Sequence, residues 1–397
     1  MNPRLGLLQP YPFERLRALL SGIEPNPALH PIDLSIGEPK HPTPELVRTA
    51  LSDALCGLSA YPATGGLPQL RQAIAGWLKR RYAIEDLDAA TQVLPINGSR
   101  EGLFAFAQTV VDPSAGAAKV VCPNPFYQIY EGAALLAGAS PVYLNTTPRN
   151  AFRMAFDALD ESTWRDVQLV YVCSPGNPTG AVMALDQWRA LFDLSDRHGF
   201  VIAADECYSE LYYDEDRPPL GALQAAVACQ RADFRRLVAF SSLSKRSNVP
   251  GMRSGFVAGD AAILRRFLLY RTYHGSAMSL PVQRASIAAW GDEAHVRENR
   301  RAYAEKYRAV LPLVPAQLQT AMPEGGFYLW LRTPVDDAEF VRRFHRDYNV
   351  LVLPGSFLAR DARGENPGRG YIRVALVAPL DECVQAAQRM REFANTI

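Results

Sequence analysis

Val167-Gln168-Leu169-Val170-Tyr171-Val172-Cys173 is a short, nearly continuous apolar run that stops at the turn Ser174-Pro175-Gly176-Asn177-Pro178-Thr179-Gly180. The pattern recurs at Phe200-Val201-Ile202-Ala203-Ala204, which ends in Asp205-Glu206-Cys207-Tyr208, and an amphipathic segment, 186–198, lies between the two. Runs this short and this apolar predict strands covered on both faces, joined in parallel by helical crossovers. The same texture extends outward over about 95–260. Strands are expected at 119–122, 167–173, 200–204, 237–241 and 254–258, and helices at 101–111, 127–137 and 186–198, with Asp186 capping the last. The expected fold class is α/β, a mostly parallel central sheet covered by helices.

Beyond Pro281 a periodic segment runs to about 311, and then strand-like pieces alternate with helices near 337–348 and from 380. That texture predicts a smaller α+β domain. The opening residues hold Pro3, Pro10, Pro12, Pro25, Pro27 and Pro31, too many for a regular element. The expected division is an N-terminal segment, 1–45, joining the small domain; a large domain, 46–285; and a small C-terminal domain, 286–397.

The 397 residues are 48% hydrophobic, enough for a large core. With 42 Lys+Arg against 41 Asp+Glu, the net charge of +1 lacks the basic excess that phosphate tracking requires, so nucleic acid is excluded as a partner. The longest uncharged stretch, 167–185, is broken by prolines and glycines, so no membrane helix is expected. Arg4, Glu14, Arg15 and Arg17 interrupt any secretory leader, which predicts a cytoplasmic protein. The six cysteines form no C-x-x-C pair and the six histidines no ligand spacing, so neither disulfide nor metal is expected; each histidine reads as surface or capping. Lysine occurs only at 40, 79, 119, 245 and 306, and arginine cannot replace it as an amine nucleophile.

Ligands of open α/β sheets sit at the carboxyl ends of strands, and here those ends carry chemistry. Asp205 ends one strand. The next runs into Ser241-Ser242-Leu243-Ser244-Lys245, with Arg253 eight residues on, and Gly98-Ser99-Arg100 opens a helix whose N-terminus suits phosphate. A cofactor with an aldehyde, a phosphate and a basic ring nitrogen would use the amine, the guanidinium with the serines, and the carboxylate. Pyridoxal 5′-phosphate has all three groups.

S-P-G-N-P-T-G (174–180), D-E-C-Y (205–208) and S-L-S-K-R-S-N-V-P-G-M-R-S-G (242–255), in that order, resemble the class I/II aminotransferases of the fold-type I pyridoxal-phosphate family. The resemblance covers essentially the whole chain. It implies Lys245 as the cofactor-linked lysine, Asp205 on the ring nitrogen, and Tyr208 and Asn177 on the ring oxygen. It further implies Arg253, Ser242, Ser244, Gly98, Ser99 and Arg100 on the phosphate, with Tyr127, or its neighbour Phe126, stacked on the ring. Tyr61 is similar to the tyrosine that reaches the neighbouring subunit's phosphate, which implies a homodimer. Gly37, Asn177 and Arg373 resemble the substrate contacts, Arg373 as the grip on the α-carboxylate.

More narrowly, Pro125 to Ala134 and the opening 22–37 resemble the succinyldiaminopimelate aminotransferase branch, with 2-oxoglutarate as acceptor in a ping-pong reaction. Where aspartate aminotransferases carry an arginine for a distal carboxylate, 271–275 offers no clear match. Other class I/II aminotransferases of aspartate, aromatic or acetylornithine type, or a C–S lyase, are the alternatives. A DNA-binding regulator on this fold is disfavoured, because 1–45 is too short and too proline-rich for the added domain.

Overall fold

The structure, a computed structural model, describes residues 1–318 and 320–397. Its strands are β1 (Ile32–Asp33), β2 (Val93–Ile96), β3 (Lys119–Asn124), β4 (Ser140–Asn145), β5 (Val167–Cys173), β6 (Val201–Asp205), β7 (Leu237–Ser242), β8 (Gly255–Gly259), β9 (Tyr328–Arg332), β10 (Val350–Leu351), β11 (Leu353–Pro354) and β12 (Tyr371–Ala375). Among the described residues the main sheet has the order β2-β8-β7-β6-β5-β3-β4. The run from β4 through β3, β5 and β6 to β7 is parallel, as expected, whereas β8 is antiparallel to both β7 and β2. Only a one-turn helix, Leu243–Arg246, and the short turn Pro250–Met252 join β7 to β8, and a parallel return needs a full crossover.

Two edge strands escaped the sequence reading. β2 contains Pro95 and β4 contains Pro141, and β4 is partly exposed, so neither has the apolar continuity of a central strand.

Alternation along the strands builds two packed layers. Leu169, Tyr171, Ala203, Val238 and Phe240 face Phe106, Tyr130 and Phe267 on one side of the sheet. Val170, Val172, Ile202, Ala204, Leu237 and Ala239 face Trp77, Trp188, Phe192 and Trp290 on the other. Each large apolar side chain so buried contributes about 1.5–3 kcal/mol. The first layer is carried by helices Ser99–Val110, Ile129–Ala137 and Ala261–His274, and the second by Pro68–Tyr82, Leu185–His198, Ala222–Ala228 and Leu280–Gly291.

Three local expectations are corrected. Asp186 does not cap its helix: Ala184 is the N-cap, and its N–H donates to Gln187 Oε1 at 3.2 Å. The periodic segment after Pro281 breaks into Leu280–Gly291 and Ala294–Val310, the second restarted by Asp292, whose Oδ2 accepts from His295 N–H at 3.0 Å. The proline-rich opening holds the helix Pro12–Leu19, because Pro12 takes the first helical position, where a missing N–H loses no bond.

β11, β12 and β9 form a small antiparallel sheet, and β1 pairs in parallel with β10. Leu16, Ile32 and Leu34 pack with Phe340, Phe344, Val374 and Phe393 beside it. No helix among the described residues is long and apolar enough to cross a membrane.

Candidate active site

β5, β6 and β7 end at a cavity of ≈ 460 Å³ that Asn177, Asp205, Ser242 and Lys245 line. Asp205 lies two residues beyond Ala203 and therefore points to the same face of the sheet. There Tyr130 Oη donates to its Oδ2 at 2.6 Å, and the Cys207 N–H donates to Oδ1 at 3.2 Å. Burial raises the Asp205 pKa, while these donors and the Lys245 charge oppose the rise.

Lys245 sits on the one-turn helix that Ser242 caps, its Oγ accepting from Ser244 N–H at 3.1 Å. The ammonium Nζ donates to Gly37 O at 2.7 Å. Burial lowers its pKa to about 8; Arg373 and Arg253 push the same way, and Cys207 and Glu38 oppose.

Ser99, Arg100, Ser242, Ser244 and Arg253 also line the cavity. Gly98, not Ser99, is the N-cap of Ser99–Val110, with φ 81°. A Cβ at Gly98 would overlap the Arg253 guanidinium, so glycine is what lets that cation approach the helix N-terminus. The Arg100 Nε–H donates to Tyr127 Oη at 2.7 Å. Tyr127 lines the cavity, whereas Phe126 is buried in a stack on Tyr143.

Arg373, on β12, lines the same cavity and is buried. Its Nη1 donates to Asn177 Oδ1 at 3.1 Å and its Nη2 to Ser35 O at 2.8 Å, and its guanidinium lies 4.4 Å from the Tyr328 ring centroid. Its Nε, also buried, finds no acceptor among the described residues. Tyr208 Oη and Tyr328 Oη share a hydrogen bond of 3.0 Å. Burial, then Tyr328, holds the Tyr208 phenol well above its ordinary pKa.

Tyr61 is not brought to this cavity; it is fully exposed. Arg271 is buried in an ion pair with Glu101, away from the cavity. The histidine reading needs correction: His295 bridges Asp292 and Ser247, and His41 hydrogen-bonds both Asn299 and Lys306. Among the described residues no cluster of three or more His, Cys, Asp or Glu could hold a metal.

Sequence reasoning missed Tyr130 and Tyr328, and the Tyr11-Pro12-Phe13 and Leu358 walls. Tyr130 had one usable signal: it lies three residues from Tyr127 in the helix expected over 127–137, a spacing that shares a face, although the helix itself starts at Ile129. Tyr328 opens a strand after Gly325-Gly326 and reads as a core aromatic.

An amine, a buried carboxylate and a guanidinium over a helix N-terminus fit the aldehyde, ring nitrogen and phosphate of pyridoxal phosphate. The family model described as aminotransferase class I and II matches residues 30–389. The chain belongs to that family, whose members depend on pyridoxal phosphate and act on amino acids and oxo acids. It is 31% identical to an LL-diaminopimelate aminotransferase of Maridesulfovibrio salexigens over 98% of each chain. The crystal structure of an aminotransferase from Neisseria meningitidis is 52% identical, with a TM-score of 0.96 over 99% of this chain and 100% of that one. A probable N-succinyldiaminopimelate aminotransferase from Thermus thermophilus is 30% identical, with a TM-score of 0.81 over 92% and 95%.

Proposed function

We propose that this aminotransferase takes its amino group from N-succinyl-LL-2,6-diaminopimelate, in lysine and diaminopimelate biosynthesis, and passes it to 2-oxoglutarate by a ping-pong mechanism. The observation that carries the reading is one cavity lined by Lys245, Asp205 and the buried Arg373, whose Nε has no acceptor among the described residues. The names of the Thermus and Maridesulfovibrio relatives support the diaminopimelate skeleton. The second of them favours a further reading, in which the free LL-diaminopimelate is the donor.

Bound pyridoxal phosphate supplies an aldehyde that condenses with amines and a ring that takes up electron density from Cα. The residues do the rest. Lys245 would anchor the group, and its Nζ, when free, would take the substrate Cα proton. Burial lowers the Lys245 pKa to about 8, which favours the uncharged amine that this role needs. Asp205, steadied by Tyr130, holds a proton on the ring nitrogen. Tyr208 and Asn177 hold the ring oxygen, and Tyr127 packs on the ring. Arg253, Ser242, Ser244 and the Gly98-Ser99-Arg100 turn hold the phosphate. Arg373, oriented by Asn177, and the Gly37 backbone take the planar α-carboxylate of the substrate.

The exposed Tyr61, with Leu55 and Leu58 exposed nearby in sequence, supports a homodimer in which Tyr61 completes the neighbouring site. We read the protein as cytoplasmic and divided near 45 and near 285, the helix Leu280–Gly291 packing with the main sheet.

The test is a donor panel with 2-oxoglutarate: N-succinyl-LL-diaminopimelate, LL-diaminopimelate, N-acetylornithine, aspartate and phenylalanine, scored by glutamate formed. The succinylated donor should give the highest kcat/KM. Preference for the free diamine would select the second reading, and pyruvate with ammonia from a cysteine conjugate, without glutamate, would replace transfer by C–S cleavage. Lys245→Ala should lose both turnover and the cofactor's visible absorbance.

A further inference from the structure

Of the five lysines, Lys306 is buried where Lys245 is only partly so, yet Lys306 has no part in the chemistry above. It projects from helix Ala294–Val310, and its ammonium meets a ring nitrogen, a carbonyl and an aromatic face rather than a carboxylate. Nζ is 2.7 Å from His41 Nε2, 3.3 Å from Val377 O and 5.0 Å from the Tyr303 ring centroid. Burying an ammonium without a counter-ion is unfavourable, which marks the position for attention.

The hydrogen bonds from Lys306 run in one direction. An ammonium only donates, so His41 Nε2 accepts and its proton sits on Nδ1. Nδ1 then donates to Asn299 Oδ1 at 2.8 Å, where Asn248 Nδ2 also donates at 3.1 Å. That leaves Asn299 Nδ2 to donate, at 3.1 Å, to the backbone carbonyl of Lys245. The helix bearing Lys245 is one turn long, too short to satisfy this carbonyl or to hold its own orientation. The side chain of Lys245 ends on Gly37 O, four residues before His41. Both ends of Lys245 are therefore tied to the same segment, 37–41.

We propose that Lys306, acting through His41 and Asn299, is a positioning residue that sets the orientation of Lys245 and holds segment 37–41 against the cavity. The proposal rests on Lys245 being the cofactor-linked lysine. Lys306 is otherwise faced by Cys383 and Lys40, and Lys245 by Cys207, Glu38, Asp205, Arg253 and Arg373; none of these is altered in the test.

The experiment compares Lys306→Met, His41→Phe, their double variant and Lys306→Arg as holoenzymes. His41→Phe keeps a ring on Tyr303, which packs against His41 at 4.4 Å, and removes only the two nitrogens. The readouts are kcat, melting temperature and the pH midpoint of the cofactor's visible band. Each single variant should lower kcat by about tenfold, as misplacement of a reacting group does. Each should move the midpoint by about half a pH unit through the altered setting of Lys245. The double variant should be no worse than either single, and Lys306→Arg should recover most of the loss. A lowered melting temperature with an unmoved midpoint and kcat, or additive effects in the double variant, overturns the proposal. If Lys306→Met fails to fold, His41→Phe decides alone. Retention of the visible band in Lys245→Ala would instead break the underlying assignment of Lys245.

Discussion

Asp205 and Glu206 are adjacent carboxylates, both buried, and they serve opposite sides of the sheet. Asp205 faces the layer that contains Tyr130 and opens on the cavity. Glu206 faces the other layer, where Tyr82 Oη donates to Oε2 at 3.1 Å and Ala222 N–H, at the start of helix Ala222–Ala228, donates to Oε1 at 2.5 Å. Burial raises the Glu206 pKa to about 7. The same functional group at consecutive positions is thus a candidate for electrostatics on one face and a helix-end acceptor on the other. A period of two, not the residue type, separates the roles.

The sharpest break of this comparison is Asp205→Asn. On the proposed reading it lowers kcat/KM by about 10²–10³-fold, the scale of removing one preorganised electrostatic partner. The melting temperature should hold or rise, since a buried charge is gone. Steady-state kinetics beside thermal melting check this, and near-normal turnover would remove Asp205 from the chemistry.

Glu206→Gln should do the converse. The pKa of Glu206 is raised in the folded state, so its contribution to stability is complete below about pH 4.5 and is lost as pH rises through about 7. Wild-type unfolding free energy should therefore fall by up to about 3 kcal/mol across that window, and the variant should flatten the slope. Asp205, raised in the same direction, leaves a residual slope of the same sign. Urea unfolding at a series of pH values measures it, and activity per folded molecule should stay within about twofold.

The smallest effect falls on Tyr130→Phe, which removes one donor from Asp205 without touching Glu206. A hydrogen bond to a charged group is worth about 1.5–3 kcal/mol, so a loss of kcat of about tenfold or more is expected, and with this donor gone the Asp205 pKa rises further and its share of the pH–stability slope steepens. An unmoved slope and full turnover would mean that the Tyr130 hydroxyl does not act on Asp205.

Central strands were legible because burial on both faces writes a continuous apolar run, as at Val167–Cys173 and Val201–Asp205. Edge strands β2 and β4 were not, since prolines and partial exposure erase that signature. In the site, Lys245, Asp205, Asn177 and Arg253 stood out as polar groups at strand ends, and all four line the cavity. Tyr130 and Tyr328 were hidden because a buried tyrosine in a sequence looks like packing, and its hydroxyl's partner lies far along the chain. His41 was misread as a surface residue for the same reason: its partners lie 258 and 265 residues away.

By itself the sequence determined which groups were available and in what order: an amine, a carboxylate and a guanidinium, each behind an apolar run able to carry it. Only tertiary structure decided that Tyr130 Oη meets Asp205 and that Tyr82 Oη meets Glu206. It also decided that Lys245 ends on Gly37, and that Arg373 comes from another sheet to meet Asn177. The physical reason is reach. Apolar patterning acts over a few residues, whereas a hydrogen bond of about 3 Å between positions some 200 apart exists only once the sheet has closed and its faces are packed.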